Sequence, residues 1–387
     1  MRMLVLSYLH AEAGAPVRGL LGLPVATRVA LYAQKAGVTT LRVLVRAEDV
    51  AATQARFEAE KRLNLAWKVS ADPADAEGAD WVALGDRIHL TDAFKAAFAA
   101  QDALADDAGL APGAPTPAAL LEGRLPSGGA RSRKPSWTWL RGEQDRDPCE
   151  RMLIRSLTKD ADGVVSRNIN RKISGFFSRR LASTNVSPNH VTGVVAILGL
   201  ASAPFAAQGT WLGFAIAGLL YYISAILDGV DGELSRLKFL GSPLGAWLDT
   251  ITDDSVCTAF LVGLYYGLVK ATGLEQWTWI GVATISCFLL TVVPRYYLLI
   301  KAGGGGNHQI LTADDEGEKG AFGKLVDVVA ATFFRTDFLP FFAAVTCVAG
   351  GPHVFGYCFA VGSVLAMIET GFTFVKFTRR QAVTPTA

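Results

Sequence analysis

Four aspartates, Asp228, Asp231, Asp249 and Asp253, stand in a stretch otherwise bounded by long apolar runs. Carboxylates are expensive to keep in such a setting, so a cluster of them marks a functional site. Their spacing gathers them. Asp228, Asp231, Gly232, Ser235 and Arg236 fall at i, i+3, i+4, i+7 and i+8, one broad face of a helix. Gly245, Asp249 and Asp253 step by four along the next helix. Two such faces meeting across a helix pair would offer several oxygen ligands to a hard divalent cation such as Mg²⁺. Gly232 and Gly245 leave room for a bulky ligand near the backbone. The Arg236 guanidinium can fork onto a phosphate.

The elements that must position these residues are helices in a membrane. Six apolar segments follow residue 188, at about 189–207, 211–236, 244–269, 277–300, 338–350 and 354–376. Each is judged by length and apolar content, the fifth being short. Arg236 and Lys238 lie between the second and third. Lys301, Lys319, Lys324 and Arg335 lie between the fourth and fifth, and Lys376, Arg379 and Arg380 after the sixth. The opposite loops carry only Lys270. The positive-inside rule then places both termini and the aspartates on the cytoplasmic side of a cell (inner) membrane, in a multi-pass protein. The run Gly303–Gly306 reads as a flexible loop, since no strand–GxxxxGK[ST]–helix context surrounds it.

Ahead of the spans, residues 1–125 alternate strands and helices, which suggests a small α/β unit with a mostly parallel sheet. The expected strands are Met3–Ser7, Leu41–Val45, Trp67–Val69 and Asp80–Leu84; the expected helices are Leu23–Ala36 and Asp49–Lys61. The N-terminus reads as a strand, without the apolar region of a signal peptide. Residues 126–165 read as a linker with a helix near Asp147–Lys159, and 166–380 as the membrane domain. Arg167–Ala182 is amphipathic, with Ile169, Ile173, Phe176, Phe177 and Leu181 as an apolar stripe among Arg167, Arg171, Lys172, Arg179 and Arg180. Such a helix beside a span is expected at the membrane interface. His190 reads as a surface residue. A net charge of +2 gives no bulk argument for nucleic-acid binding. The five cysteines are scattered, four of them in apolar runs, and read as reduced core residues.

The aspartate stretch resembles the signature of the CDP-alcohol phosphotransferase family, DxxDGxxAR-x8-GxxxDxxxD. It stands here as Asp228, Asp231-Gly232, Ser235-Arg236, then Gly245, Asp249 and Asp253, with Ser235 where the family usually has alanine. The resemblance covers roughly residues 150–380. It implies transfer of a substituted phosphate from a CDP-alcohol to an acceptor hydroxyl, with release of CMP. It further implies a Mg²⁺ or Mn²⁺ site, two-metal in this family, with Asp228, Asp231, Asp249 and Asp253 as ligands. Asp253 would also be the general base. Gly232, Ser235, Arg236 and Gly245 would border the nucleotide and its phosphates, and a homodimer is expected. Arg295 and Arg335 are candidates for holding an acceptor's phosphate. Asp254, on the face opposite Gly245, is expected to be structural.

Gly22–Val45 and Val82–Leu90 resemble parts of sugar-phosphate nucleotidyltransferases, and Asp86 matches a metal-binding aspartate there. Ser7–Gly22 lacks that family's GxGxR phosphate pattern, so residues 1–125 are expected to be a degenerate member. The pairing of the two domains is similar to the bifunctional inositol-1-phosphate cytidylyltransferase / di-myo-inositol phosphate phosphate synthase branch. That points to an inositol phosphate or a similar polar acceptor. Two alternatives stand beside it: a phospholipid synthase using CDP-diacylglycerol, and a cation-binding transporter using the same acids.

Overall fold

A computed structural model describes residues 3–89, 110–112, 137–158, 162–301 and 338–383. Two compact units emerge: residues 1–157 with 179–185 and 237–239, and residues 158–178 with 186–236 and 240–387.

The first unit is built on a five-stranded sheet. Its strands are β1 (Met3–Ser7), β4 (Thr40–Leu44), β5 (Ala66–Ser70), β6 (Trp81–Leu84) and β8 (Leu110–Pro112), in the order β5-β4-β1-β6-β8. All pairings are parallel except β6 with β8. The central strand β1 is fully buried from Leu4 to Ser7, which explains its unbroken apolar run. Helices α1 (Val25–Lys35) and α2 (Val50–Glu58) supply the crossovers. Short pairs β2 (Gly19–Leu20) with β3 (Leu23–Pro24), and β7 (Arg87–His89) with β9 (Trp137–Trp139), complete it. Strand β9 and helix α3 (Arg146–Arg155) fall in the stretch expected as linker. The small, mostly parallel α/β sheet read from the sequence is therefore present, with element ends displaced by at most three residues and β1 matched at both ends.

Also in this unit, Phe239 takes a left-handed conformation (φ 56°) just past a helix end. Its ring packs against Tyr32 with centroids 5.2 Å apart, and Lys35 Nζ stands 4.7 Å from its centre. The carbonyls of Leu237 and Lys238 accept from Arg28 Nη1 and Arg62 Nη1.

The second unit is helical. After a single π-type turn at Ser166–Asn170 comes α4 (Arg171–Ala182). Then follow α5 (Pro188–Ala206), α6 (Trp211–Lys238), α7 (Pro243–Thr272), α8 (Gln276–Lys301), α9 (Phe338–Val348) and α10 (Pro352–Val383). Helix α5 starts on a Ser187 cap with Pro188 in its first turn, and α7 on a Ser242 cap with Pro243. Five helices, α5 to α8 and Pro352–Val375 of α10, are long and apolar enough to cross a membrane. The fifth expected segment is shorter: α9 has eleven residues, against the ~20 a span needs.

Packing explains the glycines away from the site. Gly263 and Gly267 face the backbone of Ala203 and Ala206, so α5 and α7 approach at backbone distance. Tyr221 of α6 stacks on Phe260 of α7 at 4.5 Å. Tyr265 hydroxyl donates to the Gly356 carbonyl (2.8 Å), fastening α7 to α10. All five cysteines are free; Cys149, Cys257 and Cys347 are buried as expected, whereas Cys358 is exposed. Arg335 and Gly303–Gly306 lie outside the described residues.

Candidate active site

The site is made where α6 meets α7. Ligand oxygens of Asp228, Asp231 and Asp249 lie within 4.8 Å of one another. This is the meeting of two helical faces that the spacing of three and four predicts. Asp231 is buried and accepts a hydrogen bond from Thr192 Oγ1 of α5 at 2.5 Å. Asp228 Oδ1 is buried with no hydrogen-bond partner among the described residues. An orphaned carboxylate oxygen in a cluster of three acids is a costly arrangement unless a cation completes it. Hard, all-oxygen donors fit Mg²⁺ or Mn²⁺.

Asp253 lies outside this group of three. With Asp228 it lines a cavity of about 680 Å³, bordered also by Arg171, Asp254, Arg295 and Glu369. Arg295 thus stands in the same space as two of the aspartates. Asp254 accepts from the Tyr296 hydroxyl at 2.7 Å, and Tyr296 packs edge-on to Trp247 at 5.6 Å. That joins α7 to α8.

Gly232, Arg236 and Gly245 are not among the residues that line this cavity. A Cβ on Gly232 would stand 3.5 Å from Arg236 Nη1. Gly245 sits in the first turn of α7, where its N–H donates to Ser242 Oγ at 3.0 Å, and a Cβ there would lie 3.5 Å from Asn189 Oδ1. Ser235 Oγ faces Gly241 at the turn between α6 and α7. His190 is exposed and serves the Ser187 cap of α5.

Several residues near the site carried no assignment in the sequence. Glu233, at 1% exposure, accepts from Arg171 Nη1 (2.8 Å), Ser174 Oγ (2.7 Å) and Ser178 Oγ (2.6 Å). Asp162 takes the other edge of Arg171, at 2.8 and 3.1 Å. Burial alone would lower the pKa of Arg171, but its two acid partners outweigh this and raise it. Arg171 therefore points inward, unlike a residue of a solvated basic stripe. Its signal was present: 171, 174 and 178 share one polar helical face. Tyr222 hydroxyl donates to Asn170 Oδ1 at 2.8 Å. Thr192 belongs to a helix start whose apolar neighbours hid its role.

In the first unit, Asp86 is buried, with His10 Nε2 at 3.3 Å and Arg141 Nε at 3.6 Å. The ring of Tyr8 rests on Gly85 so closely that a Cβ there would overlap it.

Residues 185–313 match the family described as CDP-alcohol phosphatidyltransferase. "Bifunctional IPC transferase and DIPP synthase" of Thermococcus kodakarensis is 40% identical over 135 residues, 35% of this chain and 30% of that protein. The protein of the same name from Aquifex aeolicus is 33% identical over 142 residues, 36% of this chain and 32% of its own length. "Cardiolipin synthase (CMP-forming)" of Oryza sativa subsp. japonica is 32% identical over 88 residues, 23% of this chain and 26% of that protein. The matched stretches thus span about a third or less of these relatives. The resemblance to the family, and to the bifunctional branch, agrees with the aspartate spacing.

Proposed function

We propose that this chain, whose residues 185–313 resemble CDP-alcohol phosphatidyltransferases, moves a substituted phosphate from a CDP-alcohol to an acceptor hydroxyl and releases CMP. The observation that carries the proposal is the convergence of Asp228, Asp231 and Asp249 at the motif's spacing, with an unsatisfied Asp228 oxygen. Those three residues would hold Mg²⁺ or Mn²⁺, with Asp253 touching a second ion. A metal held there would supply charge that neutralises the diphosphate and would polarise the attacked phosphorus.

The remaining roles fall to side chains. Asp253, in the cavity beside Asp228, takes the proton of the acceptor hydroxyl as its oxygen bonds to phosphorus. The bond between that phosphorus and the oxygen of CMP breaks. Gly232 and Gly245 border the nucleotide, Ser235 stands in the alanine position, and Arg236 contacts the diphosphate. Arg295 holds an anionic group on the acceptor, with Arg335 as a second candidate. A polar acceptor such as an inositol phosphate is favoured by the branch of relatives and by the arginine in the cavity.

A second reading is favoured by the similarity to "Cardiolipin synthase (CMP-forming)": the donor would be CDP-diacylglycerol. Labelled CDP-inositol and CDP-diacylglycerol, incubated with purified protein, decide between them. A water-soluble labelled product supports the first, and a chloroform-soluble one overturns it.

On this reading the chain comprises a soluble domain over 1–125, a joining segment over 126–165 and the phosphotransferase domain over 166–380. The latter has six spans and lies in the cell (inner) membrane with both termini cytoplasmic, as a homodimer. The stripe Ile169, Ile173, Phe176 and Phe177 is exposed, which suits α4 and the preceding turn to the membrane interface. The soluble domain is a degenerate nucleotidyltransferase. The missing phosphate loop, and a Tyr8 ring lying on Gly85 next to Asp86, support that. CTP turnover by the full chain with Asp253→Asn would overturn it.

A further inference from the structure

We infer that Arg171 is a specificity-determining contact for the acceptor, and that Glu233 is the positioning residue that aims it; the inference rests on the phosphotransfer proposed above. The chain of observations begins with Glu233. It lies two residues past Asp231 on α6, yet it faces away from the carboxylate cluster and into α4. Arg171, Ser174 and Ser178 fall at i, i+3 and i+7, a single face, and all three donate to this one carboxylate. A buried carboxylate with three donors is satisfied; any shift of α4 would strand it. Glu233 therefore fixes the position of α4 against α6.

What α4 presents at that position is the wall of the cavity. Arg171 and Ser174 of α4, with Asp162, Ser166 and Asn170 just before it, line the same cavity as Asp228 and Asp253. The guanidinium of Arg171 is clasped on one edge by Asp162 and on another by Glu233. These bonds use three of its five N–H groups and set its plane, leaving two donors. Nη1 lies beside Gly229, the neighbour of Asp228, 3.6 Å from where a Cβ on that glycine would stand. A preset guanidinium thus lies one residue from the acids that act on the reacting groups.

The sidedness of the site says which substrate it meets. Gly232, Gly245 and Arg236, assigned to the nucleotide, do not border the cavity, whereas Asp253, assigned to the acceptor's proton, does. The cavity is then the acceptor's space. Its lining combines an apolar part, with Val195, Ile226, Val256, Phe288 and Phe359, and a polar part of carboxylate, hydroxyl, amide and guanidinium, and the polar part suits the hydroxyls of an alcohol acceptor. Arg295 on the same cavity suits one that also carries an anionic group.

The test is steady-state kinetics of the full chain with CDP-inositol and inositol 1-phosphate as probes. The wild type is compared with Glu233→Gln, Arg171→Lys and the double variant Ser174→Ala/Ser178→Ala. Loss of a group that orients another costs about tenfold, so Glu233→Gln and Arg171→Lys should each raise the acceptor KM about tenfold. The donor KM should stay unchanged and kcat should stay within about threefold, the signature of lost acceptor binding. The double serine variant, which keeps the Arg171–Glu233 pair, should raise the acceptor KM less. A fall in kcat at constant acceptor KM, or a rise in donor KM instead, overturns the inference. If Glu233→Gln fails to fold in detergent, Arg171→Lys alone decides. Wild-type protein without metal-dependent CMP release overturns the proposed function and this inference together. An active wild type with unaltered acceptor KM in Arg171→Lys overturns the inference alone.

Discussion

At Asp231 the hydroxyl of Thr192 and the carboxylates of Asp228 and Asp249 compete for the same small volume. A hydrogen bond at 2.5 Å fixes one Asp231 oxygen, so on the proposed function Thr192 would act on metal affinity without being a ligand. Thr192→Val removes the hydroxyl and keeps the shape. Metal affinity should fall about 10- to 100-fold, read as a rise in the Mg²⁺ concentration needed for half-maximal activity. An unchanged metal requirement would remove Thr192 from the site. Asp253 is placed differently, in the cavity and outside the group of three. Asp253→Asn should lower kcat by about 10²–10⁴-fold, the usual worth of a general base, while Mg²⁺ affinity falls less than in Asp231→Asn. The four aspartates were legible as a group because their spacing repeats the helical period. Thr192 and Glu233 were not, since a hydroxyl near a helix start and an acid inside a motif acquire meaning only from the neighbour they face.

The helix pair that carries the acids depends on close packing at other points. Gly263 and Gly267 place α7 against the backbone of α5, which in turn carries Thr192. Gly263→Val would force these helices apart. Overpacking of this kind costs typically ~1–3 kcal/mol, so the variant should melt earlier in detergent and need more Mg²⁺ than the wild type. A variant with the wild-type melting point would show that the α5–α7 approach is not tight. At this scale the sequence read well where periodicity is strong. The mostly parallel sheet of the first unit follows from alternating elements, and the apolar run of Met3–Ser7 fits its central place between β4 and β6, an order that the structure alone supplies. The second and third spans, expected at 211–236 and 244–269, are helical over Trp211–Lys238 and Pro243–Thr272, with ends within three residues of those expected. The amphipathic stripe before the spans was visible, but two of its arginines were not free to face solvent. Arg171 meets Asp162 and Glu233, and Arg179 meets Glu150 and Asp147.

On the proposed function the chemistry is concentrated in the second unit; the first keeps an ordered sheet, and its sequence lacks the GxGxR phosphate pattern that its resemblance would require. That division predicts that CTP is not turned over and that a preformed CDP-alcohol must be supplied. On the proposed function the motif would specify the phosphotransfer, and substrate choice would lie with residues around the cavity that belong to no motif. The most direct measurement is CMP release by the purified full chain from a CDP-alcohol, with and without an acceptor alcohol, in Mg²⁺ and after chelation by EDTA. The proposed function predicts acceptor-dependent CMP release in Mg²⁺, its loss in EDTA, its recovery on adding Mg²⁺ or Mn²⁺, and its absence in Asp228→Asn. Cation flux without any CMP release, or CMP release indifferent to EDTA and to Asp228→Asn, would contradict it.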